Sequence, residues 1–382
     1  MAVAKAIGVA LLGLMLAGCE NMVASSGVYY NVGIAKASNS LLLANIVRSA
    51  KGYPTYYTLV GDYSGSTSTS LSPSVELTIP VPSQGQSKVL DFALGGSVSS
   101  DRNANVSSLE TGDFTRAMHT PVPPNLLLFL IDSRDSAHVH LILALLVKSN
   151  RLLLKDYEAI VQSARDECEQ RFDTLSSAEM GICRNFEEVR KGLTCDFARE
   201  PSARGDVIVT VSNHPSNRCA FSQFRMLAEA VMLNSGQVFV DQKGNLNVEF
   251  GRIASERRNL FDAEGTSITL RSPNGIIQYL GEIVREQHRE DNAWTPALTT
   301  RAGRSVPIFR VESGGFGAFA SITAVVDGQE YWIRNQKLGE REEDFSHRAL
   351  TILKDFQALN TKQEQLPSSP AIILGPGSSL TR

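Results

Sequence analysis

The sequence predicts an α+β fold in which antiparallel or mixed β-sheets pack against helices, with a helical hairpin at about residues 151–194. Two observations support this fold class. The predicted elements run helix, hairpin, strand, helix, hairpin, helix, which is not the alternation of a doubly wound sheet. The 382 residues are 42% hydrophobic and 20% charged, which is an ordinary globular composition. We therefore expect a folded chain with a sizeable core.

The N-terminus has the pattern of a secretory signal peptide. Lys5 precedes an uncharged apolar run from Ala6 to Ala17, which is shorter than the roughly 20 residues that span a membrane. The sequence Leu16-Ala17-Gly18-Cys19 closes the run and resembles the lipobox of bacterial lipoproteins. The resemblance implies removal of residues 1–18 and acyl chains on Cys19, and more than one long chain makes a stable anchor. An ordinary signal peptide, or a short buried helix with an incidental cysteine, is the alternative.

By the same resemblance, the residue after the lipidated cysteine influences sorting. Glu20 stands there instead of aspartate, which favours the outer membrane with the domain on its periplasmic side. The formal net charge of −3 shows no excess of positive charge. This balance of charge predicts no nucleic-acid partner. The partner that the resemblance implies is a membrane, which the acyl chains on Cys19 would bind.

Four further cysteines fit an oxidising compartment, in which an even number suggests disulfides. They are Cys168, Cys183, Cys195 and Cys219. Four cysteines allow three connectivities, and the absence of a C-x-x-C pair disfavours a zinc site. The preferred pairing is Cys168–Cys183 and Cys195–Cys219, with free buried thiols as the alternative.

Periodicity and turn residues predict the elements of the first 150 residues. Asn39 to Ala50 has apolar residues at helical spacing, and Gly52 with Pro54 ends this helix. Two stretches rich in serine and other polar residues, Ser64 to Ser74 and Ser97 to Ser108, predict loops. Between them, Val75 to Val81 and Val89 to Leu94 predict strands separated by the turn residues Pro82-Ser83-Gln84-Gly85.

The middle of the chain is more apolar and more helical. Leu126 to Val147 predicts two core segments around a polar turn, because its charged and histidine residues disfavour a membrane span. Arg151 to Phe172 predicts an amphipathic helix, and Ser176 with Glu179 forms a capping box that opens a second one. The short connection predicts an antiparallel helix pair with Cys168 and Cys183 facing the seam.

Later segments alternate between strands and helices. The predicted strands are Val207–Val211, Val238–Val240, Leu246–Phe250, Ser267–Leu270, Ser305–Val311, Phe319–Val326 and Glu330–Ile333. Phe221 to Val231, a segment opened by Ser272-Pro273, and Phe345 to Leu359 predict helices. Asp327-Gly328 predicts a type I′ hairpin turn.

The chain is thus expected to have four parts, with a subdivision near residue 200 as an alternative arrangement of the third. They are the signal peptide (1–18), a lipidated tether (19–36), a periplasmic α+β domain (37–362) and a Pro/Ser/Gly-rich tail (363–382).

Several motifs in one order resemble a family of poorly characterised bacterial envelope lipoproteins, from about residue 37 to 375. They are the segments Leu41-Leu42-Leu43-Ala44-Asn45-Ile46-Val47-Arg48, Leu270-Arg271-Ser272-Pro273-Asn274-Gly275-Ile276-Ile277-Gln278-Tyr279-Leu280-Gly281-Glu282 and Gly328-Gln329-Glu330-Tyr331-Trp332-Ile333, with Pro370 to Leu374 closing the domain. The resemblance implies an envelope location and supplies no catalytic residues.

The residues offer few sites for chemistry. His138 and His140 could place two imidazoles on one face of a strand, but without a fixed third ligand they do not define a metal site, so no metal or other cofactor is expected. Ser346 and His347 are adjacent on a predicted helix and do not face each other. Asn45 and Arg48 share one helix face, as a binding patch or as contacts that fix the helix to the body.

The sequence therefore predicts a non-catalytic, membrane-anchored periplasmic lipoprotein that binds, scaffolds or helps to assemble envelope components, including other envelope proteins. Two alternatives stay open. One is an envelope enzyme or metal-dependent hydrolase whose site is assembled from distant residues. The other is a lipid or small-ligand carrier with an apolar cavity beneath residues 126–147.

Overall fold

The computed structural model confirms the α+β fold class. It describes residues 32–71, 76–81, 88–92, 95–109, 111–123, 126, 139–170, 177–192, 196–202, 204–233, 237–240, 246–249, 267–291, 293–300, 303–314, 320–336 and 343–360. Across these ranges, the helices are α1 (residues 32–50), α2 (Gly112–His119), α3 (Val139–Leu146), α4 (Leu154–Gln170), α5 (Ser177–Gly192), α6 (Arg218–Leu233), α7 (Pro273–Gln287) and α8 (Ser346–Asn360).

The strands of the same ranges form small sheets. They are β1 (Thr58–Leu71), β2 (Glu76–Val81), β3 (Lys88–Phe92), β4 (Gly95–Ser108), β5 (Val147–Leu153), β6 (Ala198–Pro201), β7 (Val207–Ser212), β8 (Gln237–Val240), β9 (Leu246–Glu249), β10 (Ser267–Leu270), β11 (Ala297–Thr299), β12 (Ser305–Pro307), β13 (Glu312–Ser313), β14 (Ala320–Val326) and β15 (Gln329–Arg334).

The chain divides into two compact units. The first comprises Met1–Ser38, Tyr57–Thr111 and Thr361–Arg382, and the second comprises Asn39–Tyr56 and Gly112–Asn360. In the first unit, β1 to β4 form one sheet in the order β1-β4-β2-β3. Its β2–β4 pair is parallel, whereas its other pairs are antiparallel.

The prediction of two polar loops was wrong. Residues 64–71 belong to β1 and residues 97–108 to β4, and the two strands pair antiparallel from Thr58 opposite Ser108 to Leu71 opposite Gly96. Neither stretch has the apolar alternation by which strands are recognised. Backbone hydrogen bonds between the two stretches hold them extended, and one stretch read alone does not reveal its partner.

The second unit contains two sheets that shape its core. One has the order β10-β5-β7-β6 and the other β13-β15-β14, and all their pairs are antiparallel. The helix predicted from Arg151 begins instead at Leu154, because residues 151–153 complete β5 against β7. The predicted strand from Ser305 stops at Pro307, which has no N–H with which to extend the ladder.

The helical hairpin is confirmed by α4 and α5. Cys168 and Cys183 form the predicted disulfide across it, with a Cα–Cα distance of 5.7 Å. Cys219 is also disulfide-bonded. Its predicted partner, Cys195, lies outside the described residues, so that pairing stays a prediction.

Helix α7 packs against α2, α3 and α8. As predicted, Ser272 caps it, since the Ser272 hydroxyl accepts a hydrogen bond from the N–H of Gly275, and Pro273 occupies its first turn. The predicted apolar face is buried, and its members are Ile276, Ile277, Leu280, Ile283 and Val284. The predicted type I′ turn is also present, with positive φ at Asp327 (53°) and Gly328 (73°).

Gly281 lets α7 approach the end of α1. A Cβ at this position would lie 2.8 Å from the Ser49 Cβ and 2.9 Å from the backbone nitrogen of Ala50. The close approach therefore requires a residue without a side chain.

We predict that Gly281→Ala lowers the free energy of unfolding by about 1–3 kcal/mol, because α1 must move away from α7. The measurement is denaturant unfolding followed by tryptophan fluorescence, since Trp294 and Trp332 both lie in the second unit. Gly112→Ala is the matched control, because its Cβ would meet no atom within 4 Å, and it should change stability by less than about 0.5 kcal/mol. Equal effects of the two substitutions would contradict the packing argument.

Candidate functional site

Asn45 and Arg48, the candidate binding residues, fix the segment after α1. The Asn45 amide donates to the carbonyl of Tyr56 at 2.7 Å and accepts from its N–H at 2.9 Å, like one rung of a strand ladder. Arg48 donates from Nε to the carbonyl of Pro54 at 2.8 Å. Its guanidinium lies 4.7 Å from the centre of the Tyr56 ring, a cation–π distance. Both side chains thus have contacts within their own part of the chain.

Lys51 continues this group by joining α1 to the β14–β15 turn. Its ammonium donates to Asp327 Oδ2 at 2.9 Å and lies 5.5 Å from the ring centre of Tyr331. The hydrogen bond from Lys51 lowers the pKa of Asp327, and a hydrogen bond from Tyr53 adds to the effect. Tyr53 and Tyr56 leave about half of their surface exposed, at 44% and 53%. The end of α1 is thus a cationic and aromatic surface.

Arg271 is a buried cationic residue of the second unit, only 7% exposed, and its guanidinium lies at the C-terminus of α3. Its Nη1 donates to the carbonyls of Ala144, Leu145 and Val147, at 3.2, 3.2 and 2.6 Å. The carbonyls of Ala144 and Leu145 carry the partial negative charge of the helix end, which favours a cation there, and Val147 begins β5. The charge is thus compensated largely by backbone dipoles.

Asn213 and Tyr279 complete this network. Arg271 Nη2 donates to the carbonyl of Asn213, and the guanidinium carbon lies 3.9 Å from the centre of the Tyr279 ring. The Asn213 amide donates to the carbonyl of Ala144 at 2.6 Å and accepts from the Tyr279 hydroxyl at 2.9 Å. Each of these polar groups therefore has a partner within the network.

Burial sets the ionisation of this network. It lowers the pKa of Arg271 to about 10, so the guanidinium remains charged at neutral pH. Burial also raises the pKa of Tyr279, which keeps the phenol protonated and able to donate. The arrangement supplies hydrogen bonds and charge compensation for the fold. Sequence reasoning noted this segment as a motif but missed the role of Arg271, although a charged residue between an apolar strand and a helix cap was a usable signal.

A serine and a histidine do meet in the structure, although they are not the adjacent pair considered from the sequence. His347 Nε2 lies 3.0 Å from Ser321 Oγ and 2.9 Å from the carbonyl of Arg334. The contact with the carbonyl requires a proton on Nε2, so this nitrogen is not the base that would take the serine proton. Ser346 instead accepts from the N–H of Arg310 at 2.8 Å. The Ser321–His347 contact therefore ties α8 to the sheet.

A second serine–histidine contact involves Ser216 and His214. His214 Nδ1 lies 2.7 Å from Ser216 Oγ and 3.8 Å from Glu282 Oε2. A catalytic triad uses the two ring nitrogens separately, one toward the nucleophile and the other toward the acid. Here one nitrogen faces both groups, so the geometry is that of a loop contact.

The candidate metal ligands are only partly described. His140 lies in the first turn of α3 and is buried, so the strand expected for this segment is wrong for His140. His138 lies outside the described residues. Among the residues whose positions are described, no group of three or more His, Cys, Asp or Glu side chains could hold a metal ion.

Cys19 and the signal peptide predicted for residues 1–18 also lie outside the described residues. Within the ranges that the structure covers, no helix combines the length and the apolar character needed to cross a membrane.

Comparison with known proteins gave no match, whether to a family model, a curated protein or a solved structure.

We predict that Arg271→Met lowers the free energy of unfolding by about 3 kcal/mol or more, because the buried Leu145 carbonyl loses its side-chain donor and those of Ala144 and Val147 keep only the Asn213 amide. Tryptophan fluorescence during denaturant unfolding measures this effect. Arg285→Ala is the matched control, because Arg285 also donates to carbonyls at a helix end, at 2.8 Å to Ala50, but is exposed. Its loss should be about 1 kcal/mol. A loss for Arg271→Met no larger than that of the control would refute the role of burial.

Proposed function

We propose that the chain is a lipoprotein anchored through acyl chains on Cys19 to the periplasmic side of the bacterial outer membrane. In this proposal it is a non-catalytic binding or scaffolding component that helps to assemble the envelope. The observation that carries the proposal is the position of Cys19 directly after an apolar run and Leu16-Ala17-Gly18. The resemblance to envelope lipoproteins belongs to the same proposal.

The cysteines of the second unit support an extracytoplasmic location. Cys168 and Cys183 are joined by a disulfide, and Cys219 is also oxidised. Disulfides persist in the periplasm and are rare in a reducing cytosol. Because the bond links two helices through side chains that are 8% and 6% exposed, it is built into the packed hairpin.

The binding role draws support from the way in which the polar groups are used. Arg271, His347 and Asn45 all direct hydrogen-bonding atoms toward backbone groups of the fold. Recognition is then expected at the surface, where exposed aromatic and β-branched side chains such as Tyr56 and Val325 lie.

We predict that Cys19→Ala moves the protein from the membrane fraction to the soluble fraction in a host that lipidates such proteins. The anchor chains attach only at Cys19 in this proposal, so their loss removes the membrane affinity. The checks are alkaline washing of membranes and mass spectrometry of the N-terminal peptide. Cys168→Ser combined with Cys183→Ser is the control, which should stay membrane-bound. Retention after washing of a Cys19→Ala variant that has lost residues 1–18 would refute the anchor, because an uncleaved apolar run could itself hold the variant at the membrane.

The scaffolding role predicts a partner that depends on the anchor. Chemical cross-linking in intact cells, followed by capture of the chain, should enrich an envelope protein with wild type that Cys19→Ala fails to enrich. The two forms differ in their location, so the comparison separates envelope contacts from contacts made after lysis. Turnover of an envelope substrate by the purified chain, abolished by single substitutions, would instead favour the enzyme alternative.

A further inference from the structure

Strand β14 forms an edge of its sheet. The order β13-β15-β14 leaves one side of β14 without a partner strand among the described residues. Its sequence, Ala-Ser-Ile-Thr-Ala-Val-Val, contains no charged residue and no proline. Proteins usually protect an exposed edge with such residues, because unpaired backbone groups recruit other strands.

Another edge in the same unit shows this protection. Strand β6 ends the sheet β10-β5-β7-β6 and carries Arg199, Glu200 and Pro201. Glu200 also accepts from Arg151 on β5 at 2.6 Å. Edge protection is thus present in this unit but not universal, since the four-residue strand β10 at the other edge of that sheet also has no charge and no proline.

The turn determines which backbone groups of β14 face outward. A two-residue turn at Asp327-Gly328 is flanked by a hydrogen-bonded pair, here Val326 and Gln329. Pairs alternate along an antiparallel ladder, so Ala324 also points its backbone groups toward β15. Thr323 and Val325 point theirs away, toward the open edge, and no hydrogen bond between described residues occupies these groups.

We propose that this edge pairs with β14 of a second copy of the chain. Antiparallel pairing about Ala324 places Thr323 of each copy opposite Val325 of the other. Both residues then exchange their outward backbone groups, giving about four hydrogen bonds across the interface. The register is favourable because Thr323 and Val325 are β-branched and share one face, and β-branched cross-strand neighbours stabilise a sheet.

Charge and exposure favour a second copy as the occupant. Because β14 carries no charge, self-pairing brings no like charges opposite each other. Val325 is 67% exposed, more than any other large hydrophobic side chain in the described ranges, and pairing would bury part of it. A strand of seven residues buries less area than a standard stable interface. The association should therefore depend on a high local concentration.

Disulfide trapping tests the register. We expect a mixture of full-length chains carrying Thr323→Cys or Val325→Cys, in mild detergent with a gentle oxidant, to form a cross-linked dimer. Opposite residues of a hydrogen-bonded pair lie about 5.5 Å apart at Cα, within disulfide range. Either variant alone should cross-link far less. In this register the two copies of Thr323, or the two copies of Val325, are diagonal neighbours about 7–8 Å apart.

The parent chain and a mixture of Thr323→Cys with Leu359→Cys are the controls. Leu359 is exposed on α8, so the yield of the Thr323→Cys and Leu359→Cys mixture measures cross-linking by random collision. The Thr323→Cys and Val325→Cys mixture should exceed this control by about tenfold. Equal yields, or no cross-linked dimer, would overturn the proposal.

Sedimentation velocity provides a second measurement that needs no new cysteine. The average mass of the wild type and of Leu359→Lys should rise with concentration, whereas Val325→Lys should remain monomeric, since a lysine protects the edge. Association of Val325→Lys equal to that of wild type would overturn the proposal. So would a monomeric wild type whose β14 edge instead captures a different envelope protein.

Discussion

The second unit depends on the way in which Arg271 closes the end of α3. The last carbonyls of a helix have no partner within that helix, and at this site they are buried. A guanidinium can satisfy several carbonyls at once because its donors lie in one rigid plane. The backbone N–H of Arg271 also donates to the carbonyl of Leu146, at 2.7 Å. One residue therefore connects the end of α3, strand β5 and the start of α7.

Helix α7 extends the same principle to other segments. Arg285 of α7 donates to the carbonyls of Ser49 and Ala50. The end of α1, like the end of α3, is therefore closed by an arginine. The Gln287 amide donates to the carbonyl of Phe309 and accepts from the N–H of Val311 at 3.1 Å. Polar side chains of one helix thus satisfy the backbone of segments that have no regular partner, while its apolar face fills the core.

Local signals predicted much of this fold. The Ser272 cap, the Asp327-Gly328 turn and the cysteines of the helical hairpin act over a few residues, so the sequence displays them directly. The pairing of β1 with β4 and the contacts of Arg271 join residues far apart in the chain. Their partners are backbone groups, which nearly every residue type has, so the sequence does not indicate which of them are used. Asn45 is a further example. Its place on one helix face with Arg48 was compatible with a ligand contact and with a contact within the fold, and only the structure shows that its amide binds the backbone of Tyr56.

The edge of β14 is held in shape by side-chain contacts at both ends. Lys51 binds Asp327 at the turn, and His347 contacts Ser321 near the start of the strand. Central pairing with β15 supplies the third constraint. A strand fixed in this way loses little conformational freedom when another strand adds to it, which lowers the entropic cost of association. None of the three constraints uses the outward backbone groups of Thr323 and Val325, so the contacts that order the edge also leave it able to pair.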